Sequence, residues 1–481
     1  MPEFLYRFRP LERLLDDNEL EHQTIFFAAP STLNDPLEGY LDIFWQGDSI
    51  VWRNLFKNYL LCLDHVHTLA MIGGNKIHLN SDDIQVFLSY DNLPTQQYKD
   101  RVSNLFSIVL SAEPIAKLIN TLGSLGRVVR RDELCFYLSL YHKEALSAIL
   151  SFDEQGASPE RKLKIQKLRQ ALSTSLKDNF YNAVTSISDS EADIVFQIGE
   201  SMQNQMGLIR IYNNIPLSED DNRRFILFDF PRLYIEQLER LIYPPWYAAC
   251  FVENIENSAL WGHYGRGHTA VCLKFRVSPG HKQSIGLHLD CITGYSSKRG
   301  EDGMKKQRGQ RFFPFCKITY DSKYPEIDFF RSIGHLSFKD LQKTWYSDES
   351  GRVSTCSAAM MTNKDEWRKN YWDNFYKSIP VKLKEWEYET EHRLILTSVL
   401  SDLTDIEDRM LRYNFSDLAG IVFGIKTPLE SKLRLMKIIE RKCDENKCYD
   451  FSFYQAAYSH ATGKIEIHPL NALKLSPPND T

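Results

Sequence analysis

The stretch Trp246-Tyr247-Ala248-Ala249-Cys250-Phe251-Val252 decides the fold class of this chain. It is a short aromatic and apolar run, typical of a buried strand, and a second such run, Thr269-Ala270-Val271-Cys272-Leu273-Lys274-Phe275, follows after one short helical turn. Strands that cluster without regular helical alternation predict an α+β fold with a mixed or antiparallel sheet, not a doubly wound parallel sheet. Further strand candidates lie toward both ends of the chain, at 24–28, 287–292, 315–320, 390–397, 420–425 and 464–468.

A long helical segment separates the strand candidate at 24–28 from the later ones. Its apolar residues recur at helical spacing, and one helix face carries Leu134, Leu138, Tyr141, Ala145 and Ala148. The later stretch 321–379 is rich in aromatic and charged residues and also has a helical pattern. We therefore predict one discontinuous α+β core domain with a large helical insertion at 51–242 and a second helical, aromatic insertion at 321–379. The core domain comprises residues 1–50, 243–320 and 380–470.

Composition excludes several classes of protein. The 481 residues are 43% hydrophobic and 25% charged, so the chain can bury a sizeable core and is neither disordered nor collagen-like. Its 58 basic residues nearly balance its 63 acidic ones, so no global field draws it to nucleic acid or to an anionic membrane. No apolar run approaches the ~20 residues that span a bilayer. The start of the chain lacks the order of a signal peptide, so we expect a cytoplasmic protein with no membrane partner.

The cysteines and the familiar short motifs point to no established chemistry. Nine widely spaced cysteines without a Cys-x-x-Cys pair argue against a disulfide framework and a structural zinc site, and we predict no metal. The sequence contains no Gly-x-Gly-x-x-Gly dinucleotide-binding motif, P-loop, His-Glu-x-x-His zinc motif or Gly-x-Ser-x-Gly nucleophile motif. The basic stretch 298–311 lacks interleaved aromatic residues, so we interpret it as a solvated loop.

Four short patches are dense in polar and aromatic residues. In the first, strand alternation places Tyr6 and Phe8 on one face and Arg7 and Arg9 on the other. In the last, an extended strand would project its glutamates to one side, where carboxylates repel one another unless cations pair with them. Each patch also has a purely structural explanation: an edge strand, a self-capped turn, a glycine-rich turn around a packed tryptophan, or a solvated acidic face. The patches are Leu5–Arg9, Ser31–Gly39, Ala259–His268 and Lys384–Arg393.

The order of the patches resembles a bacterial family called domain of unknown function 2971 (DUF2971). The matching elements are the aromatic-Arg opening, Ser-Thr-Leu-Asn-Asp-Pro-Leu-Glu, Leu-Trp-Gly-His-Tyr-Gly, and Lys-x-Trp-x-Tyr-Glu-x-Glu-x-Arg-Leu-Ile. The resemblance covers residues 4–45, 246–277 and 380–440. The helical middle and the stretch at 321–380 are additions relative to typical members.

The same layout is similar to that of ADP-ribosyltransferases, which have an early basic strand, a Ser/Thr-bearing second region and a late Glu-x-Glu strand. This similarity implies an ADP-ribosyltransferase-like sheet and NAD as the substrate, cleaved at its nicotinamide. It implies that Arg7 or Arg9 holds the pyrophosphate, and that Ser31 or Thr32 braces the glutamate. Glu391 or Glu389 would bind the ribose and stabilise the developing cation, with Arg393 beside them. The resemblance also implies ligand contacts from Tyr6, Asn34, Asp35, Glu38, Trp261, His263 and Tyr264.

Two other functions stay open at this point. A regulatory module could bind a small nucleotide or a partner through Asn34, Asp35, Glu38 and Trp261 without turnover. Its helical insertion would then bind a partner protein or self-associate. Alternatively, Asp35, Glu38, Glu389 and Glu391 could hold a divalent cation for phosphodiester cleavage.

The sequence does not identify an acceptor, protein or nucleic acid, for a transferred ADP-ribose. A toxin-like role or one in phage defence would fit such an activity. The sharpest structural expectation is that Arg7, Asn34, His263 and Glu391 converge on one cleft.

Overall fold

The computed structural model describes residues 2–172, 178–213, 221–280, 284–296, 305–321, 323–398, 403–473 and 475–477. The chain is a mixed α+β protein, which confirms the predicted class. It divides into two compact units. The sheet unit comprises Met1–Tyr40, Pro244–Tyr324 and Tyr376–Thr481, and the helical unit comprises Leu41–Tyr243 and Pro325–Phe375.

The described strands follow one another along the chain from residue 4 to residue 469. They are β1 (Phe4–Arg9), β2 (Thr24–Phe26), β3 (Asp42–Phe44), β4 (Trp246–Val252), β5 (Val271–Arg276), β6 (Ser278–Pro279), β7 (Ile285–Ser296), β8 (Lys305–Lys317), β9 (Thr319–Asp321), β10 (Glu326–Asp328), β11 (Val381–Leu383), β12 (Glu391–Thr397), β13 (Met410–Tyr413), β14 (Leu418–Phe423), β15 (Ser452–Tyr458) and β16 (Ile465–Pro469).

Most of the described helices belong to the helical unit. The helices are α1 (Leu11–Leu15), α2 (Glu19–His22), α3 (Ser49–Gly73), α4 (Gln96–Ser111), α5 (Glu113–Gly123), α6 (Arg131–Glu154), α7 (Pro159–Leu172), α8 (Asp178–Ser186), α9 (Asp189–Tyr212), α10 (Asp221–Arg224), α11 (Phe230–Leu238), α12 (Ser258–His263), α13 (Phe329–Ser332), α14 (Phe338–Leu341), α15 (Ala358–Thr362), α16 (Lys364–Ser378) and α17 (Leu429–Asn446).

The sheet unit contains one large mixed sheet and the parallel pair β9–β11. The strand order of the large sheet is β16-β15-β14-β5-β1-β4-β12-β8-β7-β13-β2, with β6 paired to β7. The pair β14–β15 is parallel, and the other described pairs of this sheet are antiparallel. Strand alternation sends Leu5 and Leu273 into one hydrophobic cluster, under α17, and Cys272 into another around Trp261. Because β1 lies between β5 and β4 and Arg7 is buried, the explanation of the first patch as an edge strand with solvated arginines is wrong.

The sheet curls back on itself beside β4. Strand β1 pairs with β4 at Tyr6 and Val252, and the two strands then diverge. Ala28, two residues beyond β2, fills the place next to β4: its backbone exchanges hydrogen bonds of 2.8 and 2.9 Å with Ala248. The opening between β1 and β4 is therefore bordered by the segment that follows β2, the last strand in the order. This opening contains the candidate site.

The helical unit gathers both sequence insertions. The strand pair β3–β10 is parallel, and it brings residues 325–375 together with the segment that begins at residue 41. The unit boundaries lie at 40/41, 243/244, 324/325 and 375/376, whereas the sequence pattern predicted 50/51, 242/243, 320/321 and 379/380. Tyr59 on α3, Tyr141 on α6 and Tyr234 on α11 pack together in the interior.

Two local predictions are wrong. Lys384–Glu389 forms a 3-10 helix, and Thr390 takes a left-handed conformation with φ of 45°, so an extended strand begins only at Glu391. The described part of the basic stretch, 305–311, belongs to β8 and pairs with β7. Residues 298–304 of that stretch lie outside the described residues.

In the part of the chain that the structure describes, no single helix has both the length and the hydropathy needed to cross a membrane; only α4 and α5, bent by 74°, reach that composition together.

Candidate functional site

A cleft of about 210 Å³ lies where β1 and β4 diverge, and all of its lining residues belong to the sheet unit. Three of the four residues expected to converge, Arg7, Asn34 and Glu391, line it. The third patch contributes Tyr264 to the lining and not His263. Among the residues predicted from sequence, the cleft is lined by Tyr6, Arg7, Arg9, Thr32, Asn34, Glu38, Tyr264, Glu389 and Glu391.

Arg7 is a buried cation with one unpaired hydrogen-bond donor. Its side chain is 7% exposed, its Nη2 donates to the Phe26 carbonyl oxygen at 2.8 Å, and its guanidinium lies 5.4 Å from the Phe251 ring centre. Its Nη1 is buried and donates to none of the residues that the structure describes. Burial and the neighbouring Arg9 lower the pKa of Arg7 to about 10, so the group is still charged at neutral pH. A buried charge with an unmet donor favours an anionic ligand.

Arg9 differs from Arg7 because its charge is already paired. Its Nε donates to Glu19 Oε2 at 2.8 Å, and its Nη2 binds the other oxygen of the same carboxylate. This bidentate pair neutralises Arg9 within β1 and α2. Of the two arginines predicted to hold an anion, Arg7 is therefore the one that keeps a hydrogen-bond donor for a ligand.

Three buried glutamates meet at one wall of the cleft. Arg393 on β12 holds Glu391 through two hydrogen bonds, Nε–Oε1 at 2.8 Å and Nη2–Oε2 at 2.9 Å. The same guanidinium holds Glu38 at 2.5 and 2.8 Å. Arg393 itself lies behind the wall, fully buried, and it does not line the cleft. Its role in the structure is to fix the two carboxylates.

Lys382 on β11 completes the cluster, and the sequence analysis missed it. Its Nζ lies 2.7 Å from Glu389 Oε2, 3.5 Å from Glu391 Oε2 and 3.9 Å from Glu38 Oε2. Burial alone would lower the pKa of Lys382, but the nearby carboxylates, first Glu391 and then Glu389, outweigh it and raise that pKa. Three carboxylates against two cations leave the ionised cluster with one net negative charge.

The carboxylates do not share this charge equally. Burial would raise the pKa of Glu391, but Arg393 and Lys382 lower it to about 2. Burial raises the pKa of Glu38, although Arg393 opposes that change. Glu391 is therefore the firmly ionised member at neutral pH. Its backbone N–H also donates to the Tyr320 hydroxyl at 2.9 Å, which fixes the start of β12.

Tyr264, just beyond α12, donates its hydroxyl to Glu389 Oε1 at 2.6 Å. Burial, then the Glu389 charge, raises the pKa of Tyr264, so the phenol keeps its proton. Glu389 is thus held from both sides, by Tyr264 at one oxygen and by Lys382 at the other. The 3-10 turn at Lys384–Glu389 brings it to the cleft beside Glu391.

The remaining predicted residues lie off the cleft or serve the local fold. Trp261 is fully buried in the hydrophobic cluster and donates its Nε1 to the Ile255 carbonyl at 2.7 Å, so it is a core residue. His263 is exposed and contacts the Tyr388 hydroxyl at 3.3 Å. Ser31 is exposed, and Asp35 accepts from Leu37 N–H at 2.9 Å within its own turn.

Thr32 lines the cleft, but its hydroxyl donates to the Ala29 carbonyl at 2.8 Å and not to a glutamate. The sequence patterns also gave no sign of Cys250, a lining residue on β4 whose thiol helps to lower the pKa of Glu391. A lysine between two apolar residues, Val381-Lys382-Leu383, was a usable signal for a buried cation near the acidic patch.

The arrangement combines an anionic wall with a buried guanidinium, Arg7, whose Nη1 has no partner among the described residues. Among the described residues, no group of three or more His, Cys, Asp or Glu side chains is placed to hold a metal ion. Comparison with family models, with curated proteins and with solved structures finds no match to this chain.

Proposed function

We propose that the cleft binds NAD and promotes cleavage of its nicotinamide–ribose bond, which makes the protein an NAD-consuming enzyme of the ADP-ribosyltransferase type. The observation that carries the proposal is that Arg7, whose buried Nη1 has no partner among the described residues, lines the same cleft as Glu389 and Glu391. A dinucleotide has a pyrophosphate anion that would pair with Arg7. Its ribose becomes cationic as nicotinamide leaves, and the glutamates would stabilise that charge.

Arg7 would hold the pyrophosphate. It is charged, its Nη1 lacks an acceptor among the described residues, and Arg9 is neutralised by Glu19. The cleft is smaller than the roughly 300–1,000 Å³ of sites that enclose a drug-sized ligand, so it would enclose one end of the dinucleotide.

The carboxylates would stabilise positive charge on the ribose. When the bond between ribose C1′ and the nicotinamide nitrogen breaks, its electron pair leaves with nicotinamide and C1′ becomes cationic. Water or an acceptor hydroxyl then adds to C1′ and loses its proton, which yields ADP-ribose or an ADP-ribosylated acceptor. Fixed charges in a desolvated site support such a step strongly, and Glu391 is held ionised by Arg393.

The same cleft residues support the proposed relation to ADP-ribosyltransferases. An early arginine, a Ser/Thr-bearing loop and a late glutamate strand border one cleft, in the order that the resemblance to ADP-ribosyltransferases implies. Membership of the DUF2971 family is proposed on its four patches. The departure is the bracing hydroxyl: Thr32 bonds to its own turn, and Tyr264 takes the contact to Glu389.

The test is release of nicotinamide from labelled NAD by the full chain, alone and with cell lysate as a source of acceptors. We expect release by the wild type and its loss in Glu389→Gln and Glu391→Gln variants that stay folded. Glu387→Gln is the matched control, because Glu387 lies in the same turn but is exposed. No release and no labelled acceptor under any condition would contradict the proposal.

A non-catalytic binding module is the second candidate, and one observation favours it. Every oxygen of Glu38 and Glu391 is already bonded to Arg393. This module would bind NAD or ADP-ribose at Arg7 without releasing nicotinamide. Metal-dependent phosphodiester cleavage has less support, since Lys382 and Arg393 compete with a metal for the same carboxylate oxygens.

A further inference from the structure

Helix α9 has a buried apolar face and a separate exposed apolar stripe. One face is buried against α6, where Ala192 is covered and the Phe196 and Phe136 ring centres are 5.3 Å apart. The exposed stripe runs along the helix from Val195, 53% exposed, to Tyr212, 87% exposed. Single exposed apolar side chains are ordinary, but a continuous stripe of them marks an interaction surface.

The exposed stripe has the spacing of a coiled-coil seam. Its positions alternate by three and four residues over about 26 Å of helix, as the a and d positions of a heptad do. Five of the six positions are apolar and exposed by at least half, and the sixth is Gln205. The seam consists of Val195, Ile198, Met202, Gln205, Ile209 and Tyr212.

The seam is complementary to itself when a second copy runs antiparallel. A two-fold axis between residues 203 and 204 sets Val195 opposite Tyr212 and Ile198 opposite Ile209. Met202 then lies opposite Gln205. Each position meets another seam position, as an isologous two-fold contact requires.

Charge favours the same orientation. The acidic residues of α9, Asp189, Glu191, Asp193 and Glu200, all lie in its first half. The second half, 201–212, has no acidic residue and one basic residue. A parallel pair would set like charges side by side, whereas an antiparallel pair sets each acidic half beside a half without acidic residues.

We propose that α9 is the two-fold interface of a homodimer, with the two copies of the helix antiparallel. The seam and the flanking Ile194, Met206 and Leu208 present eight large apolar side chains, each at least half exposed, for burial against the second copy. The proposal is independent of the NAD chemistry, because α9 lies in the helical unit and the cleft in the sheet unit.

The first test measures the mass of the full chain by sedimentation velocity and light scattering at micromolar concentration. We expect a dimer for the wild type and a monomer with unchanged circular dichroism for Ile198→Glu and Met202→Glu. Leu163→Glu on α7 is the matched control, since Leu163 is equally exposed at 53%, and it should stay dimeric. A monomeric wild type, or a dimer that survives both α9 variants, overturns the proposal.

The second test fixes the orientation by disulfide cross-linking, with the linked peptides identified by mass. A mixture of Val195→Cys and Tyr212→Cys copies should cross-link to each other. Val195→Cys alone should not, because the antiparallel arrangement separates the two cysteines by about 26 Å. Efficient cross-linking of Val195→Cys to itself would show a parallel pair and overturn the antiparallel assignment.

Discussion

Arg393 and Glu38, 355 positions apart in the chain, are joined by hydrogen bonds of 2.5 and 2.8 Å. The same guanidinium holds Glu391, so one buried cation ties the N-terminal segment to β12 and pairs with two carboxylates. The other cation at the described cluster is Lys382. The stability of this wall of the cleft therefore depends on charge balance as well as on packing.

Removal of Arg393 should destabilise the protein strongly. Arg393→Met leaves three buried carboxylates with Lys382 as their cation, and breaking a buried ion pair in this way costs roughly 3–5 kcal/mol. Urea unfolding measures the loss. The double variant Arg393→Met/Glu38→Leu should recover part of it, because one orphaned charge is removed too. Arg13→Met, at an exposed pair with Asp17, is the control and should change little.

Stability should fall in acid through Glu391. Its pKa is lowered from 4.5 to about 2, so the unfolded chain binds a proton at a higher pH than the folded one does. The free energy of unfolding should therefore decrease as the pH falls from about 4.5 to about 2. The raised pKa of Glu38 acts in the opposite direction, because protonation of Glu38 favours the folded state as the pH falls. Urea unfolding across this window should be less steeply pH-dependent in Glu391→Gln, and an equal slope would contradict the assignment.

Trp261 separates a core role from a ligand-binding role. Because it is buried and bonded to Ile255, Trp261→Ala should cost roughly 3–5 kcal/mol of stability, and Trp261→Phe should cost less. Neither change removes a lining residue of the cleft. Ligand affinity measured on the folded Trp261→Phe variant should match the wild type, whereas the stacking role implied by sequence predicts a clear loss.

Local patterns predicted several strands closely, because a strand's apolar run and its turns lie next to each other in sequence, but they missed β13 and β15. The stretch 246–252 became β4 with the same bounds, and 390–397 became β12 one residue shorter. The turn at Lys384–Glu389 was missed because its acidic and aromatic residues alternate as in a strand. The left-handed Thr390 ends that turn and is visible only in the backbone.

The site was only partly predictable for a different reason. Polar density singled out Arg7, Glu389 and Glu391, but pairing partners depend on which distant segments meet. Lys382 has neutral neighbours in sequence, and the curl that brings Ala28 beside Ala248 has no local signal. Trp261 shows the converse: a conspicuous residue in a glycine-rich stretch whose indole is used for packing.

The unpaired donor of Arg7 predicts an anion-dependent stabilisation. A ligand that binds only the folded state raises the free energy of unfolding by RT ln(1 + [L]/Kd), so pyrophosphate and ADP-ribose should raise the Tm of the wild type in proportion to the logarithm of their concentration. Arg7→Met should abolish that shift, because it removes the unmet Nη1 donor. Arg9→Met breaks the pair with Glu19 and should lower the Tm, yet it should keep the ligand-dependent shift. A shift that survives in Arg7→Met, or that disappears equally in both variants, would show that the anion binds elsewhere.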